Sequence, residues 1–231
     1  YSVFHGAADA AALRLIGVDA LGLDSCEFYD GQAALARMNE MHGRFRISND
    51  DMLYVLSTFV FEPIRWIQKF GHRPMTGPER SAWFDYHRDI GRRMGIRDIP
   101  EDADAFEGFN RETEARRFRY HATNARIGTV TRDLPLGFYL PRALIPLGRP
   151  VVHALMDPPL RRAMGFADPP RWVVCGLMAA MATRRAILRV LPARRRPRLV
   201  TARSRQTYPG GYRIDMLGTS APPPGKPKGR Q

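Results

Sequence analysis

Cysteine is scarce in this 231-residue chain: Cys26 and Cys175 are far apart and show no CxxC or Cys/His spacing. That excludes a disulfide-stapled fold and a structural zinc site, both of which need paired or clustered sulfur ligands. Both thiols are expected to be reduced core residues of a cytoplasmic protein. Long hydrophobic runs are lacking too. The most apolar stretch, Trp172 to Ala182, is about half the length that spans a bilayer and runs into Arg184-Arg185, so it is expected to be a core or interfacial helix. Nothing at the start combines a basic region, an apolar run and a small-residue cleavage site, so no signal peptide is visible. Strand-rich segments, internal repeats, a glycine-rich phosphate loop, HExxH, an ExxH pair and GxSxG are all missing. The nucleotide-cradling, zinc-hydrolase and serine-hydrolase classes lose their support with them.

What is present is apolar periodicity and positive charge. With 44% hydrophobic and 26% charged residues, the chain is long enough for a sizeable core. The expected fold is all-α, a single multi-helix domain over residues 1–218 with a disordered tail at 219–231, where proline, glycine and lysine dominate. The formal charge of +13 asks for an anionic partner or a solvated basic face. Arginine supplies most of it, with the densest cluster at Arg194-Arg195-Arg196-Pro197-Arg198. No RNA-binding or zinc-finger signature accompanies that cluster, so nucleic acid is not the expected partner; peripheral contact with an anionic membrane fits better.

The most informative stretch is Ala34 to Trp66. At helical period Leu35, Met38, His42 and Phe45 fall on one face, with Arg46 one turn after His42. An imidazole among apolar side chains must be hydrogen-bonded or must ligate something. Both readings, a satisfied core histidine and a ligand, are open on this pattern alone. Ser48 or Asn49 caps the next helix, with Asp50 and Asp51 in its first turn. That helix carries Leu53, Leu56, Phe59, Val60 and Ile64 on one apolar side, and Pro63 predicts a kink or break near Phe61. Thr76-Gly77-Pro78-Glu79 has capping-box spacing and starts a helix holding Trp83 and His87, a second and weaker candidate for a buried site. Ile99 to Asp102 opens an exposed amphipathic helix with Phe106, Phe109, Thr113 and Phe118. From Leu134 to Arg149 the recurrent proline and glycine predict short helices and turns.

The segment RMNEMHGRFRISNDDMLYVLSTFVFEPIRW, continued by WFDYHRDIGRRMGIRDIP at Trp83 to Pro100, resembles the family of the fungal endoplasmic-reticulum-bound oxygenase of mycophenolic acid synthesis and the bacterial latex-clearing rubber oxygenases. The likeness covers Leu35 to Phe109, with a weaker echo in TYPGGYRIDMLG ending at Gly218. In the rubber oxygenases a histidine within an arginine-rich helix is the axial ligand of a b-type haem, and an arginine lies four residues after it. The resemblance therefore implies His42 as the iron ligand and Arg46 as the catalytic arginine. Haem b, held through His42, would be walled by Met38, Phe45, Leu56, Phe59 and Val60, with Arg37, Arg44 and Asn49 at propionates or behind the ligand. The implied activity is oxygenation of a carbon–carbon double bond in an apolar, isoprenoid-like or polyisoprenoid substrate. One departure is plain: rubber oxygenases carry a lysine upstream of the axial histidine, and here no lysine precedes Lys69. Two other classes compete, a non-catalytic helical module for an apolar ligand and a basic nucleic-acid-associated protein.

Overall fold

Apolar residues at helical spacing, separated by glycine, proline and capping side chains, produce a succession of helices. The computed structural model describes residues 25–191, 211 and 213–218, with side chains from Gly31 onward. In chain order the α-helices are α1 (Ser25–His42), α2 (Asn49–Phe70), α3 (Gly77–Arg93), α4 (Ala103–Arg117), α5 (Ala122–Tyr139), α6 (Ile145–Leu155), α7 (Pro158–Ala163) and α8 (Arg171–Val190). Short 3₁₀ turns sit at Arg142–Leu144 and Ile214–Met216. No strand occurs among the described residues, so the all-α class is as expected. The opening segment Tyr1 to Leu23, the side chain of Cys26, the Arg194 to Arg198 cluster and the 219–231 tail lie outside the described residues.

By contacts the chain divides into two compact units. One comprises Tyr1–Leu53, Ser81–Ile99 and Arg196–Gln231, and the other Tyr54–Arg80 and Pro100–Arg195. In the first unit the Ile214–Met216 turn packs on α1, where Arg37 Nε donates to the Leu217 carbonyl at 3.0 Å. In the second, Leu56, Val60, Phe61 and Ile64 of α2 are buried, and Phe61 meets Phe106 of α4 edge to face at 5.6 Å. A polar seam runs beside these rings. Asn110 Nδ2 donates to Ser57 Oγ at 2.9 Å, and Arg65 reaches Asn110 Oδ1 at 2.9 Å and Glu107 Oε1 at 3.1 Å. Each buried polar group in this seam has a partner, which removes the few-kcal/mol cost of leaving one bare. Farther along, α6 packs on α5 and α8. Its Gly148 lets the Leu136 and Leu140 side chains approach closely, since a Cβ there would come within 2.8 Å of Leu136.

Helix starts behave as their sequences dictate. Thr76 and Glu79 form the reciprocal capping box: Thr76 N donates to Glu79 Oε2 at 2.8 Å and Glu79 N to Thr76 Oγ1 at 3.4 Å. Arg73 adds a bidentate pair to the same carboxylate at 2.6 and 2.7 Å. Asp102 caps α4 through Ala105 N at 2.8 Å, and His121 caps α5 through Thr123 N at 3.2 Å.

Proline punctuation was less decisive than expected. α2 runs without a break through Pro63 and α5 through Pro135. A single proline removes one donor and frees one carbonyl one turn back, and neighbouring turns hold the helix when the burial on one face is sufficient. α4 is amphipathic as read, but its inner face is fully buried at Phe106 and Asn110. The larger correction concerns α8. It is mostly exposed, with Val173 buried, Trp172 77% exposed and Cys175 exposed, so Cys175 is not a core thiol. Val173 faces inward, and Cys175, two residues on, points to the other side at about 200° around the helix. None of the described helices is long and apolar enough to cross a membrane.

Candidate functional site

The last turn of α1 places His42 at the end of the helix rather than in its middle. Gly43 follows, its N–H bonding Asn39 O at 2.9 Å, and a tight turn then brings Phe45 N to His42 O at 3.0 Å. Phe45 and Arg46 therefore do not continue the helical face on which the periodicity set them; both are exposed, Phe45 to 66%. Glycine is a poor helix former, and Ser48 begins the next helix, so the chain turns between them. Ser48 Oγ accepts from Asp51 N at 3.1 Å, which settles the cap in favour of serine.

His42, Asn39 and Gly43 form one wall of an open groove of about 440 Å³, within the usual 300–1,000 Å³ range of ligand pockets. Phe45, Ile47 and Met52 add apolar surface to the lining, and the C-terminal turn of α3, Arg93 to Gly95, completes it as a second wall. This second wall has a defined construction. Gly95 sits at φ +75°, Ile96 N bonds Gly91 O at 3.0 Å, and Gly95 N bonds Arg92 O at 3.0 Å. Those two bonds make a Schellman motif, which needs a residue free to adopt left-handed backbone. Arg93 O would be left without a helical donor, and Asn39 Nδ2 supplies one at 3.1 Å. Beyond the turn, Asn49 engages both main-chain groups of Arg97: Arg97 N donates to Asn49 Oδ1 at 2.9 Å and Asn49 Nδ2 donates to Arg97 O at 3.1 Å.

Among the described residues two buried side-chain polar atoms have no hydrogen-bond partner, His42 Nδ1 and Thr113 Oγ1. A helical threonine hydroxyl has a carbonyl one turn back within reach of a χ1 rotation. A helical imidazole can reach the same kind of carbonyl, as His87 does, but His42 Nδ1 makes no such contact. The other withdrawn histidines are matched. His87 Nδ1 lies 2.9 Å from Trp83 O with its ring against the indole, and burial lowers its pKa. His153 contacts Ala167 O and Arg132 at 3.1 Å each. His72 is exposed in the loop after α2, as the sequence suggested.

Of the other sequence-derived candidates, Asn49 stands beside the groove through its clamp on Arg97. Arg37 is engaged elsewhere, with Leu217 O and, at 2.7 Å, Glu40. Arg44 pairs with the same glutamate at 2.6 Å, and the two arginines hold its carboxyl below the ordinary range. Met38 is half-buried on α1, Leu56 and Val60 are buried in the second unit, and Phe59 is 61% exposed there. Sequence reasoning missed Asn39, Ile47, Met52 and the Arg93–Gly95 turn. Asn39 carried a signal, since it lies three residues before His42 and shares its side of the helix. The α3 turn carried one too, in Gly95 following Arg92, Arg93 and Met94, but nothing in the spacing could pair it with α1.

Residues 28–187 match the family described as ER-bound oxygenase mpaB/B'/rubber oxygenase, catalytic domain. The chain belongs to this family. Its curated relatives include ER-bound oxygenase mpaB' of Penicillium brevicompactum, 26% identical over an alignment of 175 residues that covers 68% of this chain and 41% of the relative. ER-bound oxygenase mpaB of Penicillium roqueforti (strain FM164) is 24% identical over 151 residues, 58% of this chain and 50% of the relative. The matched regions thus span half or less of these relatives' length. No solved structure gives a significant match. His42, Asn39, Asn49 and the α3 turn all fall inside the family match.

Proposed function

We propose that this member of the oxygenase catalytic-domain family is a haem-b-dependent oxygenase acting on a carbon–carbon double bond of an apolar, isoprenoid-like substrate. The observation that carries the reading is His42 Nδ1, a buried nitrogen with no partner on the wall of a 440 Å³ groove. An unmatched buried imidazole is costly unless something ligates it, and histidine is the usual proximal ligand of haem. The donor set supports a haem in other respects. Ile47, Met52 and Met94 provide apolar surface for a macrocycle, and Arg93, held by Asp89 at 2.7 Å, lines the groove as a cation suited to a carboxylate. When bound, haem iron supplies the oxygen chemistry, and the protein supplies a fixed ligand, an apolar wall and charge for the propionates. Arg46, beside this wall in sequence, is assigned the catalytic role by family likeness, with a milder effect expected for Arg46→Ala than for His42→Ala.

The apolar face exposed on α5 at Ile127, Val130 and Leu134, in a chain of net charge +13, supports peripheral attachment to an anionic membrane, where a greasy substrate would be met. The relatives' names place those proteins at the endoplasmic reticulum.

The absorption spectrum of the purified protein tests the proposal. A Soret band is expected, lost in His42→Ala and kept in His87→Ala and His72→Ala. A wild-type protein that takes up no haem would leave a non-catalytic module for an apolar ligand as the better reading, and an unchanged band in His42→Ala would place the iron at another residue.

A further inference from the structure

The groove has two walls from distant parts of the sequence, and the hydrogen bonds that join them come from two asparagine amides. Asn39 lies one turn before His42 and donates to Arg93 O, the carbonyl that the Schellman turn at Gly95 leaves free. Asn49 lies at the start of α2 and holds Arg97 through both its N–H and its C=O, just before Asp98 at φ +59°. A primary amide is a side chain that can donate and accept at once on the main chain of one residue. Aspartate would lose the donor, and leucine both. Left-handed backbone at Asp98, a residue with a Cβ, makes the turn around it costly to hold without outside support. Neither asparagine is needed to begin or end its own helix: Ser48 caps α2, and the Gly43 N–H closes on the main-chain oxygen of Asn39.

We infer that Asn39 and Asn49 are positioning residues that fix the Arg93–Arg97 turn, whose Arg93 to Gly95 line the groove with His42, and so set the width of the groove. They act through the turn: Asn39 lines the groove, but its amide Nδ2 is committed to Arg93 O. The inference rests on the haem reading for its functional meaning, but its structural content does not. Met94 and Gly95 line the groove together with His42, and with the amides removed the turn that carries them is free to move away. Haem would then be held by the imidazole with one apolar wall missing.

The test uses Asn39→Ala, Asn49→Ala and Asn49→Asp in the intact chain, with two readouts. In the first, haem is titrated and followed at the Soret band. Each alanine variant is expected to weaken retention by roughly 10–100-fold, the size usual for groups that support a metal ligand, with unchanged helical circular dichroism. Asn49→Asp, which keeps the acceptor for Arg97 N–H, should fall between wild type and Asn49→Ala. In the second, the haem-free protein is treated with diethyl pyrocarbonate and His42 modification is followed by peptide mass spectrometry, with exposed His72 and His121 as fast references and buried His87 and His153 as slow ones. Loss of either clamp should speed His42 modification by roughly tenfold, as expected for a local opening made easier by lost hydrogen bonds. Unchanged His42 reactivity in both alanine variants would overturn the inference, as would haem retention equal to wild type in a protein that binds haem. If the wild type binds none, the reactivity arm still decides, so failure of the haem reading and failure of the clamp are told apart. Should Asn49→Ala not fold, Asn39→Ala carries the test, because it removes one hydrogen bond at an exposed position.

Discussion

His42 and His153 are both partly or wholly withdrawn from water near the C-terminal end of a helix, yet their surroundings are opposites. His153 is matched on every side. Arg132 Nη1 donates to its Nε2, so that nitrogen is unprotonated, and Nδ1 carries the hydrogen donated to Ala167 O. The ring stacks on Phe166 at 4.8 Å, Arg132 lies over the same phenylalanine at 4.7 Å, and Asp133 takes both Arg132 and Arg149. His42 has none of this at Nδ1. An imidazole with both nitrogens occupied is a joint between helices and has nothing left to offer a ligand. One with a bare nitrogen, in a residue that lines a groove, leaves a hydrogen-bonding position unfilled, and the fold tolerates the cost. Burial alone would have ranked His153 and His87 above His42 as site candidates. Partner accounting reverses the order.

The largest expected effect that sharpens this contrast is His153→Ala. It removes two hydrogen bonds and a stacked ring from a buried position, and a loss of about 2–4 kcal/mol is expected in urea unfolding, with any Soret band unchanged. A loss under about 0.5 kcal/mol would break the comparison, because the matched histidine would then hold nothing together. Glu79→Gln comes next. Its carboxyl is 1% exposed, closes the capping box and receives Arg73 bidentately, so about 1–3 kcal/mol is expected from the same measurement.

Acidity separates the regions further. Arg73 and the Thr76 N–H hold the Glu79 carboxyl at about 2, and Arg132 with Arg149 hold that of Asp133 at about 2. Both have folded values below their unfolded ones, so the stability they contribute is present above the unfolded values near 4 and is lost as pH falls toward 2. His153 is also lowered, first by burial and then by Arg132, and His87 is lowered by burial. For a histidine the unfolded chain then binds the proton more readily, so stability declines as pH falls below about 6.5. His153→Phe should flatten part of that decline between pH 6.5 and the folded value, leaving the share due to His87. A slope identical to wild type would show that His153 is not held neutral. The smallest effect belongs to His42→Leu in the haem-free protein. Removing a buried nitrogen without a partner should leave stability unchanged or raise it by up to about 1 kcal/mol; a loss above about 2 kcal/mol would mean that the nitrogen has a partner after all.

Much of the fold was legible because local rules act over a few residues. The capping box at Thr76–Glu79, the start of α2 and the amphipathic stripe of α4 each follow from neighbours in sequence. Proline misled at Pro63 and Pro135, where burial of Leu56, Val60 and Phe61, or a helix surface open to water, outweighs one missing donor. For the site, periodicity singled out His42 but also set Phe45 on the same helical face, whereas the helix ends at His42 and the chain turns from Gly43 onward. The second wall was hidden for a different reason. Asn39 and Arg93 are 54 positions apart, Asn49 and Arg97 are 48 apart, and no local pattern reports which distant carbonyl an amide will meet.

The two units share the chain in an interleaved way, with boundaries at Leu53–Tyr54 inside α2 and Arg80–Ser81 inside α3. The consequence is for anyone who would dissect the gene. A single contiguous fragment can encode neither unit: the first is assembled from three stretches, the second from two, and the cuts at Leu53–Tyr54 and Arg80–Ser81 would each sever a helix. Truncation series on this protein should therefore fail abruptly, while single substitutions and insertions in the loops after α1 and α3 remain the workable way to take the site apart.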